Sequence, residues 1–167
     1  TNAGDCREYL VLAAQVVTSF GLAEVMHDET LFSVGGYSCQ AALVNEMGME
    51  AGVKEDFATA ERRFREALAI QPNFVDARVN LGWALYKTGR AVQGVDQLRQ
   101  AKQLLPIASY TVQRHLGMAC YLANDMACAR DAIIQSLVLN DDEEIQVDLL
   151  HELFQVYRHS GALKEAE

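Results

Sequence analysis

The two prolines of this chain, Pro72 and Pro106, lie 34 residues apart within a pattern that repeats around them. Small or large apolar residues recur at matching distances before each proline: Ala60, Phe64 and Ala67 before the first, and Gly94, Leu98 and Ala101 before the second. A pair made of an apolar residue and a glycine returns with nearly the same period, as Met47-Gly48, Leu81-Gly82 and Leu116-Gly117. A period of this length is typical of proteins that stack one structural unit several times, so it constrains the fold more strongly than composition does.

Each repeated unit is predicted to be a pair of α-helices. Residues 77–87 and 91–105 both place apolar side chains at steps of three and four, which suits a helix with one buried face. Between these segments, Gly89 can adopt the left-handed conformation that ends a helix, and Pro106 ends the second helix. The chain is therefore predicted to be all-α and to consist of helix–turn–helix hairpins of about 34 residues.

This pattern resembles that of the tetratricopeptide repeat family, in which W-x2-L-G-x2-Y is followed by A-x3-F and then by proline. The best copy begins at Arg78, and other copies begin at Val44, Gln113 and Leu150, the last being truncated. No copy begins with the family's tryptophan, and Asp141 replaces the proline of the third copy in chain order. The resemblance implies a right-handed superhelical array with repeats at about 41–74, 75–108, 110–143 and 147–167.

The segment 1–37 matches no copy, so the array is placed at residues 38–167. We expect one or two helices in the N-terminal segment, followed by a polar loop through Gly35-Gly36. Such a helical cap would cover the exposed apolar end of the first repeat, and a separate functional module is the alternative. Because the sequence has no initiator methionine and stops within a helical pattern, we expect it to be part of a longer protein.

Charge and cysteine content narrow the class of protein. The formal net charge of −9 argues against a nucleic-acid-binding protein, although residues 57–120 carry +5 between two ends of −7 each. No run of about 18 apolar residues occurs, so no membrane span is expected. The four cysteines form no CxxC pair, and we expect reduced, buried thiols in a cytoplasmic protein rather than a disulfide framework.

No motif for catalysis, a metal or a cofactor is found in the sequence. The four histidines are scattered, and Gly36-x-Ser38-x-Gln40 is only half of a nucleophile elbow. The acidic run at 141–144 lacks the glycine and alternating ligands of a calcium loop. It is better explained as a solvated loop whose carboxylates favour the start of the next helix. We therefore expect a protein without enzymatic activity, cofactor or metal.

The resemblance implies a concave groove lined mainly by the first helix of each repeat. The residues that we assign to peptide binding there are Asn80, Trp83, Lys87, Arg114, His115, Met118 and Tyr121. The same reasoning places further residues along it: Asp76, Val79, Tyr86, Thr111, Leu122, Asp148, His151, Glu152 and Gln155. Helical spacing supports the grouping, because Asn80, Trp83 and Lys87 share one helix face.

The chemistry of these side chains suits an extended peptide. Asn80 both donates and accepts hydrogen bonds, as a peptide backbone does, and Trp83 and Met118 offer apolar contact. Lys87 and Arg114 carry the charge to pair with a carboxylate. Some family members hold a partner's C-terminal carboxylate with lysine, asparagine and arginine, but only the asparagine of that clamp is matched here.

The leading hypothesis is a protein-interaction module that holds an extended partner segment bearing an acidic or carboxylate group. It would serve as an adaptor, an assembly scaffold or a chaperone-like holder. Two alternatives stay open: a regulatory or targeting repeat domain of a larger enzyme, and self-association in which the acidic ends of one copy meet the basic middle of another.

Overall fold

A short β-hairpin precedes a series of helical hairpins in the computed structural model, which describes residues 33–34 and 37–161. Strands β1 (Ser33–Val34) and β2 (Tyr37–Ser38) pair antiparallel where the sequence predicted a polar loop. The seven helices within these residues are α1 (Cys39–Val53), α2 (Phe57–Ile70), α3 (Val75–Lys87), α4 (Ala91–Leu104), α5 (Tyr110–Leu122), α6 (Met126–Leu139) and α7 (Glu143–Ser160). The helical cap predicted before the array falls almost wholly on residues 1–32, which lie outside the described residues.

The turns that follow the first helices share one backbone conformation. Glu55, Gly89 and Asn124 have φ values of 61°, 79° and 63°, and Gly161 after α7 has 79°. The sequence predicted a left-handed residue at Gly89, and this is confirmed. Glu55 adopts this conformation without being glycine, so the turn of the first hairpin has the same backbone form as the turn at Gly89.

Aspartate side chains begin several of these helices. Asp56 and Asp125 each accept a hydrogen bond of 3.0 Å from the backbone N–H three residues later. Asp142 accepts from the N–H groups of Glu144 and Ile145 at 3.0 and 3.2 Å. These bonds satisfy donors that a helix start otherwise leaves unpaired. The interpretation of the acidic run as the start of a helix is therefore confirmed.

Glycines let the two helices of a hairpin approach closely. A Cβ added at Gly48 would lie 2.5 Å from the Phe64 ring, and one at Gly117 would lie 2.6 Å from Ile133 Cγ1. Gly82 stands in the same relation to Leu98, at 2.7 Å. The recurrence of an apolar residue followed by glycine therefore reflects a packing requirement at three places.

The chain divides into two compact units, residues 1–77 and 78–167. In the first unit, α1 and α2 enclose a core that includes Val44, Ala67 and Phe74. In the second unit, the fully buried side chains include Leu85, Leu98, Ile133 and Leu149. The all-α array of helical hairpins that the sequence predicted is confirmed.

The expectation of reduced cysteines is wrong for the described residues. Cys120 near the end of α5 and Cys128 in the first turn of α6 form a disulfide, with Cα atoms 5.7 Å apart, and Cys39 is disulfide-bonded as well. The hairpin turn at Asn124 brings the first two cysteines within the distance that a disulfide requires. The eight-residue spacing of these cysteines across the turn between two helices was the sequence signal for this pairing.

A membrane-spanning helix was not expected from the sequence. Among the described residues, no helix combines the length and the apolar character that crossing a bilayer requires.

Candidate functional site

Three helices of the second unit line an open cavity of about 510 Å³, hereafter the groove. Its lining comes from the part of α3 after residue 77, from α5 and from α7: Trp83, Tyr86, Lys87, Tyr110, Thr111, Arg114, His115, Met118, Leu122 and Glu152. Side chains from separate helices meet there because each helix directs a face of residues three, four and seven apart toward the same space. The volume falls in the range of roughly 300–1,000 Å³ that is usual for ligand sites.

Five of the seven residues assigned to peptide binding line this cavity, namely Trp83, Lys87, Arg114, His115 and Met118. Asn80 is half-buried on α3 and is not part of the lining. The hydroxyl of Tyr121 lies 2.9 Å from His159 Nδ1 on α7, also outside the lining. Tyr110 is the lining residue that the sequence reasoning missed, although its place four residues before Arg114 was an available signal.

Arg114 is already paired with carboxylates of this chain. Its Nη2 lies 3.0 Å from Glu152 Oε1 and 3.5 Å from Asp148 Oδ2. Burial lowers the pKa of Arg114, but its hydrogen bond and attraction to Glu152 outweigh this and raise the pKa overall. From the sequence, Arg114 is predicted to be available to pair with a partner's carboxylate. In the structure, Arg114 on α5 instead pairs with Glu152 and Asp148 on α7.

Two other groups of the groove have no partner among the described residues: one hydrogen-bond acceptor and one cation. Glu152 Oε2 is buried and accepts no hydrogen bond from any described residue. Lys87 is exposed at the end of α3, and its ammonium forms no ion pair within residues 37–161. A buried carboxylate oxygen without a donor is costly, so a hydrogen-bond donor that reached Glu152 Oε2 would stabilise it.

His115 contributes a neutral hydrogen-bonding group to the groove. Its Nδ1 lies 2.8 Å from the hydroxyl of Tyr86, with ring centroids 6.0 Å apart. Burial, together with the positive charges of Arg114 and Lys87, lowers the pKa of His115 to about 4. Burial also raises the pKa of Tyr86 above its ordinary range, helped by the charge of Glu152. Both side chains are therefore uncharged near neutral pH.

One cluster outside the groove has the residue types of a metal site. Donor atoms of Cys120, Asp125 and Cys128 all lie within 4.8 Å of one another. The two sulfurs are joined in the disulfide, so Asp125 is left as the one ordinary ligand of this group. The cluster therefore offers too few ligands to hold a structural metal ion in this state.

Comparison with known proteins places the fold. Residues 54–106 match the model of the tetratricopeptide repeat family. The structure is similar to that of MamA, with a TM-score of 0.62 and 24% identity, over 72% of this chain and 64% of that one. This chain thus spans less than two thirds of the MamA chain. Among curated proteins, none matches the sequence.

Two further similar structures are covered more completely. The first repeat domain of Spaghetti (RPAP3), solved with the HSP90 peptide SRMEEVD, has a TM-score of 0.65 and 14% identity, over 72% of this chain and 93% of that one. The Sgt2 repeat domain from Aspergillus fumigatus has a TM-score of 0.66 and 17% identity, over 77% and 84%. These matches confirm the fold of stacked helical hairpins that the 34-residue period indicated.

Proposed function

We propose, from the match of residues 54–106 to the tetratricopeptide repeat family, that the groove of this chain binds an extended segment of a partner protein. The proposed role is binding without catalysis. The Spaghetti repeat domain holds a heptapeptide in a structure of the same fold, which supports a peptide as the occupant. Whether the protein acts as an adaptor, a scaffold or a chaperone-like holder depends on the partner.

The observation that carries the proposal is that the groove holds two groups to which the described part of this chain gives no partner. They are the buried oxygen Glu152 Oε2 and the ammonium of Lys87. A peptide backbone supplies N–H donors, one of which would satisfy Glu152 Oε2. A carboxylate of the same segment would pair with Lys87, and apolar side chains would pack on Trp83 and Met118. Because Arg114 is engaged by Glu152, the groove recognises one acidic group on the segment rather than two.

The direct test is selection of random seven-residue segments displayed on phage against the purified protein. Segments that bind the native groove are expected to carry an acidic residue or to end in a free carboxylate. The variant Lys87→Glu should reject these segments and enrich basic ones, because the charge facing the segment is reversed.

The matched control is Lys54→Glu, which makes the same charge change at an exposed position directly after α1, outside both cavities of the second unit. It should enrich the same segments as the native protein. Identical selections from native protein and Lys87→Glu would contradict the proposal, as would loss of the selected segments in Lys54→Glu.

The disulfides bear on where the protein works. The cytoplasmic location expected from the sequence depended on reduced thiols. The Cys120–Cys128 bridge and the disulfide at Cys39 favour an oxidising compartment instead, and that location is part of the proposal.

A further inference from the structure

A second cavity, of about 580 Å³, lies between α4, α5 and α6. Its floor consists of buried side chains, since Gln113, Leu116 and Ala132 are 1%, 5% and 4% exposed. Its rim includes Arg99 and Lys102, which are three residues apart on α4 and therefore share a face. This cavity shares α5 with the groove but has a different set of lining residues.

The Gln113 side chain on the floor is only partly satisfied. Its Nε2 donates to Gln135 Oε1 at 2.7 Å, whereas its Oε1 is buried and accepts no hydrogen bond from the described part of the chain. The first copy of the repeat has Val44 at this place, and that valine is buried. An apolar residue thus meets the packing requirement, and a buried unpaired amide oxygen is not needed for the fold.

Arg99 and Lys102, the cations on the rim, have only long contacts with polar groups of the residues that the structure describes. The nearest carboxylate to Arg99 is that of Asp125, at 3.9 Å, and both side chains are about half exposed. Lys102 Nζ donates to Gln135 Oε1 at 3.3 Å. Asp131 also lines the cavity, but its carboxylate lies 2.7 Å from Arg130. The rim therefore presents positive charge above a floor that has one free acceptor.

We propose that this cavity binds a carboxylic acid that carries an N–H donor beside an apolar body. The carboxylate would lie between Arg99 and Lys102, the N–H would donate to Gln113 Oε1, and the apolar body would pack on Leu116 and Ala132. An N-acylated amino acid and the C-terminal residue of a peptide both have this chemistry. The site is independent of the proposed function of the groove.

The test uses three small probes and nuclear magnetic resonance of the full chain. N-acetyl-leucine has all three features, N-acetyl-leucinamide lacks the carboxylate, and 4-methylpentanoate lacks the N–H. N-acetyl-leucine is expected to shift the side-chain amide signals of Gln113 and to bind about fivefold or more tightly than either other probe. A tetrapeptide ending in leucine, compared with N-acetyl-leucine, distinguishes a peptide terminus from a free acid as the preferred source.

Two variants separate binding from folding. Gln113→Leu should weaken N-acetyl-leucine about fivefold and leave 4-methylpentanoate unchanged, since only the amide acceptor is lost. The exposed pair Arg99→Gln and Lys102→Gln leaves the floor intact and should weaken both acids, whereas Arg62→Gln on α2 should weaken neither. Emission from Trp83 in the groove should not change with any probe.

Several results would overturn the proposal. Equal affinity of N-acetyl-leucine and 4-methylpentanoate would show that Gln113 Oε1 takes no part. Unchanged binding in the Arg99 and Lys102 variant would remove the carboxylate contact. Absence of saturable shifts with every probe would show that the cavity holds water only.

Discussion

At the scale of single residues, burial of His115 in the groove is expected to make the stability of the protein depend on pH. Its folded-state pKa of about 4 lies below the ordinary value of 6.5, so the unfolded chain binds more protons between these values. The contribution of His115 to stability is therefore complete above about pH 6.5 and is lost as the pH falls toward about 4. We expect a loss of about 2 kcal/mol in the free energy of unfolding between about pH 7 and pH 5.

Urea unfolding of native protein and His115→Asn at both pH values measures this loss. The variant removes the titrating ring while keeping a polar side chain, so its stability should depend less on pH. His151→Asn, at an exposed position of α7, is the matched control and should keep the native slope. If His115→Asn also keeps that slope, burial of a neutral His115 is not the cause.

The backbone conformation of Glu55 is expected to lower the stability of the protein. It has φ of 61°, a conformation that costs a side-chain-bearing residue about 1–2 kcal/mol relative to glycine. Glu55→Gly is expected to stabilise the protein by about 0.5–1 kcal/mol, after allowing for the greater freedom of glycine in the unfolded chain. Thermal unfolding should show a smaller gain for Asn124→Gly, because asparagine tolerates this conformation better. Destabilisation by Glu55→Gly would mean that the side chain itself supports the turn.

At the scale of helices, close packing of α5 on α6 depends on Gly117. A methyl group there would lie 2.6 Å from Ile133 Cγ1, so Gly117→Ala should destabilise the protein by about 1–3 kcal/mol. In a background of Ile133→Ala, the same change should cost much less, since the obstructing atoms are gone. Urea unfolding of the four proteins gives the coupling between the two positions. Additive losses would contradict direct contact.

The disulfide between α5 and α6 is a second test at this scale. It closes a short loop around the turn, and such a bridge is expected to contribute about 2 kcal/mol to stability. Alkylation of the unreduced protein after unfolding in urea, followed by peptide mass analysis, should leave Cys120 and Cys128 unlabelled. Labelling of both would contradict the bridge and would restore the original expectation of reduced thiols.

The sequence predicts the helical elements well because their signals are local. Gly89 ends α3, Pro106 follows the end of α4, and small residues recur where helices meet, all within one period. The pairing of Arg114 with Glu152 is different, because the two residues are 38 apart and their rotamers depend on the packing of α5 against its neighbours. The unmatched oxygens of Glu152 and Gln113 likewise result from burial, which no spacing in the sequence reports.

At the scale of the whole molecule, the structure shows where the positive charges of residues 57–120 lie. Much of this charge lies on α2 and α4, the second helices of their hairpins, where Arg65 and Arg99 are about half exposed. Within the groove, Glu152 offsets Arg114 and leaves Lys87 as the cation without an ion pair among the described residues. The preference for an acidic segment therefore depends on one residue rather than on the overall charge.

Trp83 is the single tryptophan of the chain and lines the groove, so its fluorescence reports directly on occupancy. The decisive measurement is a titration of native protein with a selected acidic heptapeptide, followed by Trp83 emission. We expect a saturable change, about tenfold weaker affinity for Lys87→Glu, and native affinity for Lys54→Glu. Peptide binding that leaves Trp83 emission unchanged, or that is equally strong in Lys87→Glu, would contradict recognition in the groove.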